Sequence, residues 1–174
     1  MNICGNFSLE NKTPILVAGA HRSGTTWVGR MLAANSQTAY ISEPLNVLHR
    51  PGVFSVSIPY WYPYINAENE AHYLSAFRQL LNFNYHPFAE IKSLRSRKDL
   101  LRMGRDMSIF MQGKLRGQRV LLKDPFALFS TPWFAQKLNC QVVITVRHPA
   151  AFASSLKRLN WPFDFASLLN QPSL

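Results

Sequence analysis

Acidic residues are scarce in this chain. Its 174 residues include 9 aspartates and glutamates against 19 lysines and arginines, so the formal net charge is +10 with histidine neutral. This balance suits nucleic acid, an anionic membrane surface or a highly charged small anion as partner. The sequence contains no helix-turn-helix, zinc-finger or RNA-binding signature, and we therefore expect no nucleic-acid partner.

Cysteine and long apolar runs are also scarce. Cys4 and Cys140 form neither a disulfide nor a metal-binding pattern, and Cys140 opens an apolar run that is typical of a buried thiol. The sequence has no run of 18 or more apolar residues, so no membrane span is predicted. Its first residues lack the basic start followed by an apolar block that marks a secretory signal. With 47% hydrophobic and 16% charged residues, the chain is predicted to be one globular domain in a reducing cytoplasm.

A glycine-containing turn lacks the lysine that ATP-binding loops carry. Gly19 and Gly24 have the spacing of such a loop, but Thr25 and Thr26 follow, and the nearest cation is Arg22 inside the turn. Small residues let backbone N–H groups converge on one anion, and the start of the following helix adds partial positive charge. The turn is predicted to hold a phosphate; a plain strand–turn–helix joint is the alternative.

Four short apolar runs predict an α/β fold: an open, P-loop-type sheet of mostly parallel strands with helices on both faces. The runs are Pro14–Ala18, Thr38–Ile41, Arg119–Leu122 and Gln141–Val146. Apolar residues at helical spacing predict a helix from Gly24 to Ala34 packed on this sheet, and Tyr73, Leu74, Phe77, Leu80 and Leu81 predict a second, amphipathic one.

Polar residues follow each predicted strand, at the edge where ligands bind in such sheets. They are Arg22, Ser23, Gly24, Thr25 and Thr26; Ser42 and Glu43; Lys123 and Asp124; and Arg147, His148, Ser154 and Ser155. Singly, each has an ordinary explanation: a solvated acid, a surface charge, or a helix cap at Asp124-Pro125 and Thr131-Pro132. A magnesium-dependent NTPase usually ends a strand with aspartate, whereas Arg147 stands here. Several cations without an acidic metal cluster predict a nucleotide with a second anionic group and no metal.

These residues resemble the sulfotransferases that use 3′-phosphoadenosine-5′-phosphosulfate (PAPS). HRSGTTWVGRML looks like their 5′-phosphosulfate loop, and VVITVRHPAAFASSLKRL looks like their 3′-phosphate motif, with Arg147 eight residues before Ser155. LLKDPFALF is similar to a segment of the tyrosylprotein sulfotransferases, and ISEPL to a strand end shared by carbohydrate and protein members. The matches run in order from Pro14 to Leu159.

The resemblance implies a role for each matched residue. The backbone of residues 22–26, which includes Ser23 and Gly24, would cradle the 5′-phosphosulfate, with the hydroxyls of Thr25 and Thr26 adding hydrogen bonds. The 3′-phosphate would be held by Arg147 and Ser155. Charge on the leaving phosphate and sulfuryl oxygens would be stabilised by Arg22 and Lys123, and Glu43 would be the general base. The implied activity is sulfuryl transfer from PAPS to a hydroxyl of a glycan, lipid or peptide tyrosine, without a metal.

A long insertion, His49 to Gln118, separates the second and third strands. Its aromatic cluster, Tyr60, Trp61, Tyr62 and Tyr64, is predicted either to stack on a sugar or cover the pocket, or to seal the core over the sheet edge. A basic segment from Lys92 to Arg119 has an apolar stripe of Leu100, Met103, Met107 and Met111. It is interpreted as a surface helix with a basic face, or else as a docking face for an acidic acceptor.

Two other functions stay open. A P-loop nucleotide kinase or NTPase would need ATP and magnesium, and the missing lysine speaks against it. A non-catalytic nucleotide-binding fragment is the second. Relatives continue past the point where this chain stops, so the single domain of residues 1–174 is expected to be truncated at its C-terminus, with its own turnover undecided.

Overall fold

The computed structural model describes residues 13–160, 169 and 171. Cys4 and most of the chain after residue 160 lie outside the described residues. Along residues 13–160 the strands are β1 (Ile15–Gly19), β2 (Thr38–Ser42), β3 (Arg119–Lys123) and β4 (Gln141–Thr145). The α-helices are α1 (Thr25–Leu32), α2 (Glu70–Leu81), α3 (Pro87–Ser93), α4 (Arg97–Arg116), α5 (Thr131–Lys137) and α6 (Pro149–Arg158), and a 3₁₀ helix spans Pro125–Ser130.

The four strands form one parallel sheet in the order β2-β3-β1-β4. Ile15 aligns with Leu121 on one side and with Gln141 on the other, while Ser42 aligns with Lys123. Each strand lies within one residue of its predicted bounds, and the predicted α/β class with a parallel sheet is confirmed. Because all strands point the same way, the turns that follow β1, β2, β3 and β4 meet at one edge.

Helix α1 packs on the sheet through small residues. Thr25 and Gly29 are its buried positions, whereas Trp27 is 69% exposed and Met31 is 59% exposed. The predicted helix packed on the sheet is therefore confirmed, although its large apolar residues Trp27 and Met31 are exposed. A Cβ on Gly29 would lie 3.0 Å from the Tyr40 ring and 3.2 Å from Cγ of Lys123, so only glycine lets the helix approach this closely without moving a neighbour.

The insertion supplies much of the core. On α2 the buried residues are Tyr73, Ala76, Phe77 and Leu80, which confirms the predicted amphipathic helix. The ring of Phe77 contacts Phe54 and Phe134, with ring centroids 4.6 and 4.8 Å away. Cys140 is also buried, and burial raises the pKa of its thiol to about 12. The insertion is thus part of the same hydrophobic core as the sheet.

Helix α4 confirms a helix in the basic segment, with a different buried side from the one its apolar stripe suggests. Leu100, Met107 and Met111 are exposed, and the helix buries Asp106, Phe110 and Gly113 instead. Asp106 is buried because it forms an ion pair with Arg50. Glycine is required at position 113 because a Cβ there would overlap the ring of Phe83.

The ends of α4 follow ordinary capping rules. At its N-terminus the hydroxyl of Ser96 accepts a hydrogen bond from the N–H of Asp99, and at its C-terminus Gly117 has a left-handed backbone with φ 58°.

Among the described residues, no helix is long and apolar enough to cross a membrane.

Candidate anion-binding and transfer site

The turn between β1 and α1 is held in a fixed shape. The N–H of Ser23 donates to the carbonyl of Ala20 (3.1 Å), and the Ser23 hydroxyl bonds the same carbonyl (2.6 Å) and the hydroxyl of Thr145 (2.7 Å). Gly19 has φ 151°, and a Cβ there would collide with Thr145 and Ser23. The glycine is required because the turn lies directly against β4.

The structure brings Arg147 and Ser155 to this turn. Nε of Arg22 donates to the Ser155 hydroxyl (3.2 Å), and Nη1 of Arg147 donates to the carbonyl of Arg22 (2.7 Å). Ser155 is buried on α6, whereas both arginines are exposed. Among the described residues, no carboxylate forms an ion pair with either guanidinium. Two unneutralised guanidinium groups on one turn are well placed to bind an anion.

An open cavity of about 650 Å³ lies over the turn. It is lined by Arg22, Ser23, Gly24, Thr25, Thr26, Trp27, Arg30, Met31 and Arg147. Its size lies in the range of small-molecule sites. Backbone donors of the turn, three hydroxyls and three arginines suit a multiply charged phosphate ester, and the exposed indole of Trp27 offers a flat apolar surface. The residues present therefore fit a ligand with more than one anionic group and a flat apolar part.

Glu43 and Lys123 pair at the adjacent strand ends. Nζ of Lys123 donates to Oε1 of Glu43, Nδ2 of Asn46 donates to Oε2 (2.9 Å), and the Glu43 N–H bonds the carbonyl of Lys123 (2.8 Å). The Lys123 side chain is 4% exposed and that of Glu43 is 32% exposed. Burial acts to raise the pKa of Glu43, but the hydrogen bonds from Lys123 and Asn46 outweigh it, so the pKa is lowered and the carboxylate is charged at neutral pH.

A second cavity, of about 430 Å³, opens beside this pair. Glu43 and Lys123 line it together with Thr26 and Arg30 of α1, and Tyr40, Arg50, Arg105, Asp106, Ile109 and Phe110 are also in its wall. Thr26 and Arg30 line both cavities. The two cavities are therefore neighbours that share one wall, with the carboxylate of Glu43 on the side of the second.

Asp124 fixes the loop that carries Glu43. This fully buried carboxylate accepts hydrogen bonds from the N–H of Leu45 (2.7 Å) and of Phe126 (3.0 Å), the second of which caps the 3₁₀ helix. The predicted cap at Asp124 is confirmed. The predicted cap at Thr131 is wrong, because Thr131 lies inside α5 and its hydroxyl donates to the carbonyl of Leu128 instead.

Sequence reasoning missed a contact between the turn and the aromatic insertion. The Tyr62 hydroxyl hydrogen-bonds Nδ1 of His21 and accepts from the His21 N–H (3.2 Å). Burial is the largest cause that lowers the pKa of His21, although the charge of Glu43 opposes it. Phe126 contacts both rings, with centroids 4.7 Å from His21 and 5.4 Å from Tyr62. The position of His21 directly before Arg22 was the sequence signal that could have drawn attention to this contact.

The aromatic cluster divides between the two interpretations. Tyr62 is buried, and Trp61 packs on Phe126 with ring centroids 4.9 Å apart, so these two seal the core. Tyr60 and Tyr64 line a separate cavity of about 230 Å³ with Tyr73 and His72, and neither lines the cavities at the strand ends. Trp27 and Arg30 also line the cavity over the turn, and the sequence analysis did not name them as site residues. Their place in α1, directly after the threonines of the turn, was the signal that could have found them.

The described residues contain no group of three or more histidine, cysteine, aspartate or glutamate side chains that could hold a metal ion. A parallel α/β sheet with cations gathered at the carboxyl ends of its strands is typical of proteins that bind an anionic ligand at that edge. The family model described as the sulfotransferase family matches residues 14–170, and the chain belongs to that family. The resemblance is thereby confirmed, and sulfuryl transfer is the general class of activity. Comparisons with curated proteins and with solved structures give no match.

Proposed function

We propose that this protein transfers a sulfuryl group from PAPS to an acceptor hydroxyl. The observation that carries the proposal is the convergence of Arg22, Arg147 and Ser155 on one turn, next to the pair of Glu43 and Lys123. The first group provides anchors for a donor with two anionic ends. The second provides a charged carboxylate beside a cavity where an acceptor fits.

The donor would occupy the cavity over the turn. PAPS supplies a sulfuryl group activated by its bond to the 5′-phosphate. Backbone N–H groups of residues 22–26 and the hydroxyls of Thr25 and Thr26 bind the phosphosulfate, while Arg147 and Ser155 bind the 3′-phosphate. In the free protein Ser155 bonds Nε of Arg22, so this bond rearranges or is shared when the anion arrives. Because these cations neutralise the ligand, no metal is required.

The acceptor would lie in the cavity beside Glu43. Oxygens of the Glu43 carboxylate are engaged by Lys123 and Asn46, but a carboxylate offers about four acceptor positions and can still take a proton. As the acceptor oxygen bonds to sulfur, Glu43 takes the hydroxyl proton, and the bond between sulfur and the 5′-phosphate oxygen breaks with its electron pair on the phosphate. Arg22 and Lys123 stabilise the charge that develops.

Lys123 has a second task in this proposal. It lines the acceptor cavity rather than the donor cavity, and its ion pair fixes the direction of the Glu43 carboxylate. Glu43 also has a left-handed backbone with φ 54°, which a non-glycine residue adopts at a cost. A lysine that holds the base in place and faces the shared wall would serve both base positioning and charge stabilisation.

Ligand binding tests the donor assignment. Thermal unfolding is measured with 3′-phosphoadenosine-5′-phosphate, adenosine 5′-phosphate, ATP with magnesium, and buffer. A ligand at 100 times its Kd stabilises the folded state by about 2.7 kcal/mol, which gives a readable shift in Tm. We expect the bisphosphate to give the largest shift. A shift only with ATP and magnesium would support a nucleotide kinase, and no shift with any nucleotide would support a non-catalytic domain.

A further inference from the structure

The outer face of α4 is apolar although it points to solvent. Among the described residues, five large apolar side chains of this helix are exposed, whereas Phe110 is the large apolar residue that it buries. Leu115 is 82% exposed and Leu101 is 75% exposed. A contiguous apolar patch on a protein surface usually marks a site of interaction. The outer stripe of α4, as we call this set, consists of Leu100, Leu101, Met107, Met111 and Leu115.

The spacing of these residues makes the stripe continuous. From Leu100 to Leu115, successive members along one side of the helix are separated by seven, four and four residues, and Leu101 borders them. Gly104 lies on the same side, and a Cβ there would meet no atom within 4 Å. No stripe residue lines any of the three cavities described above. The stripe is therefore an open surface rather than part of a pocket.

Basic side chains border both long edges of the outer stripe. Lys114 follows Met107 by seven residues and lies along one edge. Lys98 and Arg105 are three and four residues from Leu101 and lie along the other edge. Cations at the edges of an apolar face are typical of helices that lie in a membrane interface. The exposed cations of α4 are Arg97, Lys98, Arg102, Arg105, Lys114 and Arg116.

Carboxylates do not neutralise this face. Asp106 is buried and pairs with Arg50, while Asp99 accepts hydrogen bonds from the Ser96 hydroxyl and the N–H of Arg95. The helix therefore presents excess positive charge together with its apolar stripe. Among the described residues, the cations of α4 that form no ion pair are Arg97, Lys98, Lys114 and Arg116.

We propose that α4 docks this protein on a membrane surface that carries anionic lipids. The stripe would insert between the lipid headgroups, and the bordering lysines and arginines would lie at the level of the anionic headgroups. A second copy of the chain fits this face less well, because two such helices would bring their basic edges together. The proposal concerns attachment alone and holds whichever donor and acceptor the protein uses.

Binding to vesicles tests the proposal. The protein is sedimented with vesicles of phosphatidylcholine alone and with vesicles in which about 30% of the lipid is phosphatidylserine. Each cation near an anionic membrane strengthens binding by about fivefold, so we expect at least about tenfold tighter binding to the second vesicles. Raising sodium chloride from about 0.1 M to about 0.5 M should weaken this binding, since salt screens surface charges.

Paired charge variants test whether α4 makes the contact. The double variant Lys98→Gln, Arg116→Gln removes one cation near each end of α4 and should weaken binding to the anionic vesicles by at least about tenfold. The double variant Lys157→Gln, Arg158→Gln removes the same charge from the exposed end of α6 and should leave binding nearly unchanged. None of these four residues lines a cavity at the strand ends.

Paired apolar variants separate docking from adsorption by net charge. Leu115→Gln keeps every charge and replaces the most exposed member of the stripe by a polar residue of similar helix propensity. It should weaken binding by at least about fivefold, because a leucine that the membrane would bury is lost. Leu159→Gln, at the exposed end of α6, should leave binding unchanged. Equal circular dichroism spectra and unfolding midpoints are the control for folding of all four variants.

Several results would overturn the proposal. They are no binding to the anionic vesicles, equal binding to both kinds of vesicle, and equal weakening by the charge pairs of α4 and α6. Binding that survives Leu115→Gln would reduce the interaction to net charge and refute docking through the stripe. Sedimentation equilibrium tests the remaining occupant: a dimer that dissociates in Leu115→Gln would assign the stripe to a second copy of the chain instead.

Discussion

Two residues assigned to catalysis have left-handed backbones. Arg22 has φ 63° and Glu43 has φ 54°, a region that costs a residue with a Cβ of order 1–3 kcal/mol. Each is held by contacts on both sides: Arg22 by Ser155 and Arg147, and Glu43 by Lys123 and Asn46. Such over-determined positions keep a side chain pointed in one direction, which suits fixed charges that act on a reacting group.

At the residue scale, Glu43→Ala should lower turnover by about 10²–10⁴-fold, the usual contribution of a general base. Affinity for 3′-phosphoadenosine-5′-phosphate should stay nearly unchanged, because Glu43 lines the cavity of about 430 Å³ and not the one over the turn. Steady-state sulfuryl transfer and calorimetry on the same preparation measure the two effects. Since the change leaves Lys123 buried and unpaired, the circular dichroism spectrum of the variant is the control for folding. Unchanged turnover would remove Glu43 from the role of base.

Arg147→Ala tests the proposed second anchor of the donor. Loss of one charge-assisted contact should weaken 3′-phosphoadenosine-5′-phosphate by about tenfold or more and leave adenosine 5′-phosphate nearly unaffected. Arg158→Ala is the matched control, because it removes the same charge from the exposed end of α6. Competition binding of both nucleotides measures the difference. Equal weakening of the two ligands would refute the assignment of Arg147 to the 3′-phosphate.

At the scale of elements, close approach decides which side of a helix is buried. Helix α1 meets the sheet through Thr25 and Gly29, and α4 meets its neighbours through Asp106, Phe110 and Gly113. Trp27 and Met31 of α1 are exposed instead, as are Leu100, Met107 and Met111 of α4. Small residues bring the backbone of α1 against Lys123 and Tyr40, and thereby place the cavity beside Glu43 next to the turn between β1 and α1.

Two glycines of α4 provide a paired test of this packing. Gly113→Ala should destabilise the protein by about 1–3 kcal/mol, because the added methyl overlaps the Phe83 ring in a filled core. Gly104→Ala meets no atom within 4 Å and should stabilise it by about 0.8–1 kcal/mol through helix propensity. Urea denaturation of both variants measures the changes. A shift in the same direction for both would show that the packing of Phe83 on Gly113 is wrong.

At the scale of the whole molecule, a buried acid links the site to stability. Asp124 lies among the sheet, the 3₁₀ helix and the loop after Glu43, and it holds the last two through Phe126 and Leu45. Burial raises the pKa of Asp124 to about 7, although its backbone donors favour the charged form. In an unfolded chain aspartate titrates near about 3.9. The folded state therefore binds this proton more tightly.

The resulting pH dependence has a definite sign. Between about pH 4 and pH 7 the folded state holds one proton more than the unfolded state, so the contribution of Asp124 to stability falls as pH rises, by up to about 1.4 kcal/mol per pH unit. Denaturation of the wild type and Asp124→Asn across this window measures it. The stability of the wild type relative to the variant should fall with rising pH, and parallel curves would contradict the raised pKa.

The sequence by itself determined the strands, the turn and the order of the polar groups. Short apolar runs that end in polar residues predicted all four strands to within one residue, because burial on both faces of a parallel sheet requires such runs. Parallel strands then placed Arg22, Glu43, Lys123 and Arg147 at one edge without further information. The resemblance of the motifs supplied the family, which the match over residues 14–170 confirmed.

Only the tertiary structure decided the contacts between distant segments. The bond from His21 to Tyr62 spans 41 residues, and that from Lys123 to Glu43 spans 80. The outward faces of α1 and α4, and the shared wall formed by Thr26 and Arg30, depend on how closely two backbones approach. Periodicity reports which residues share a face of a helix; it does not report which face the rest of the chain covers, since that depends on the shapes of side chains far away in sequence.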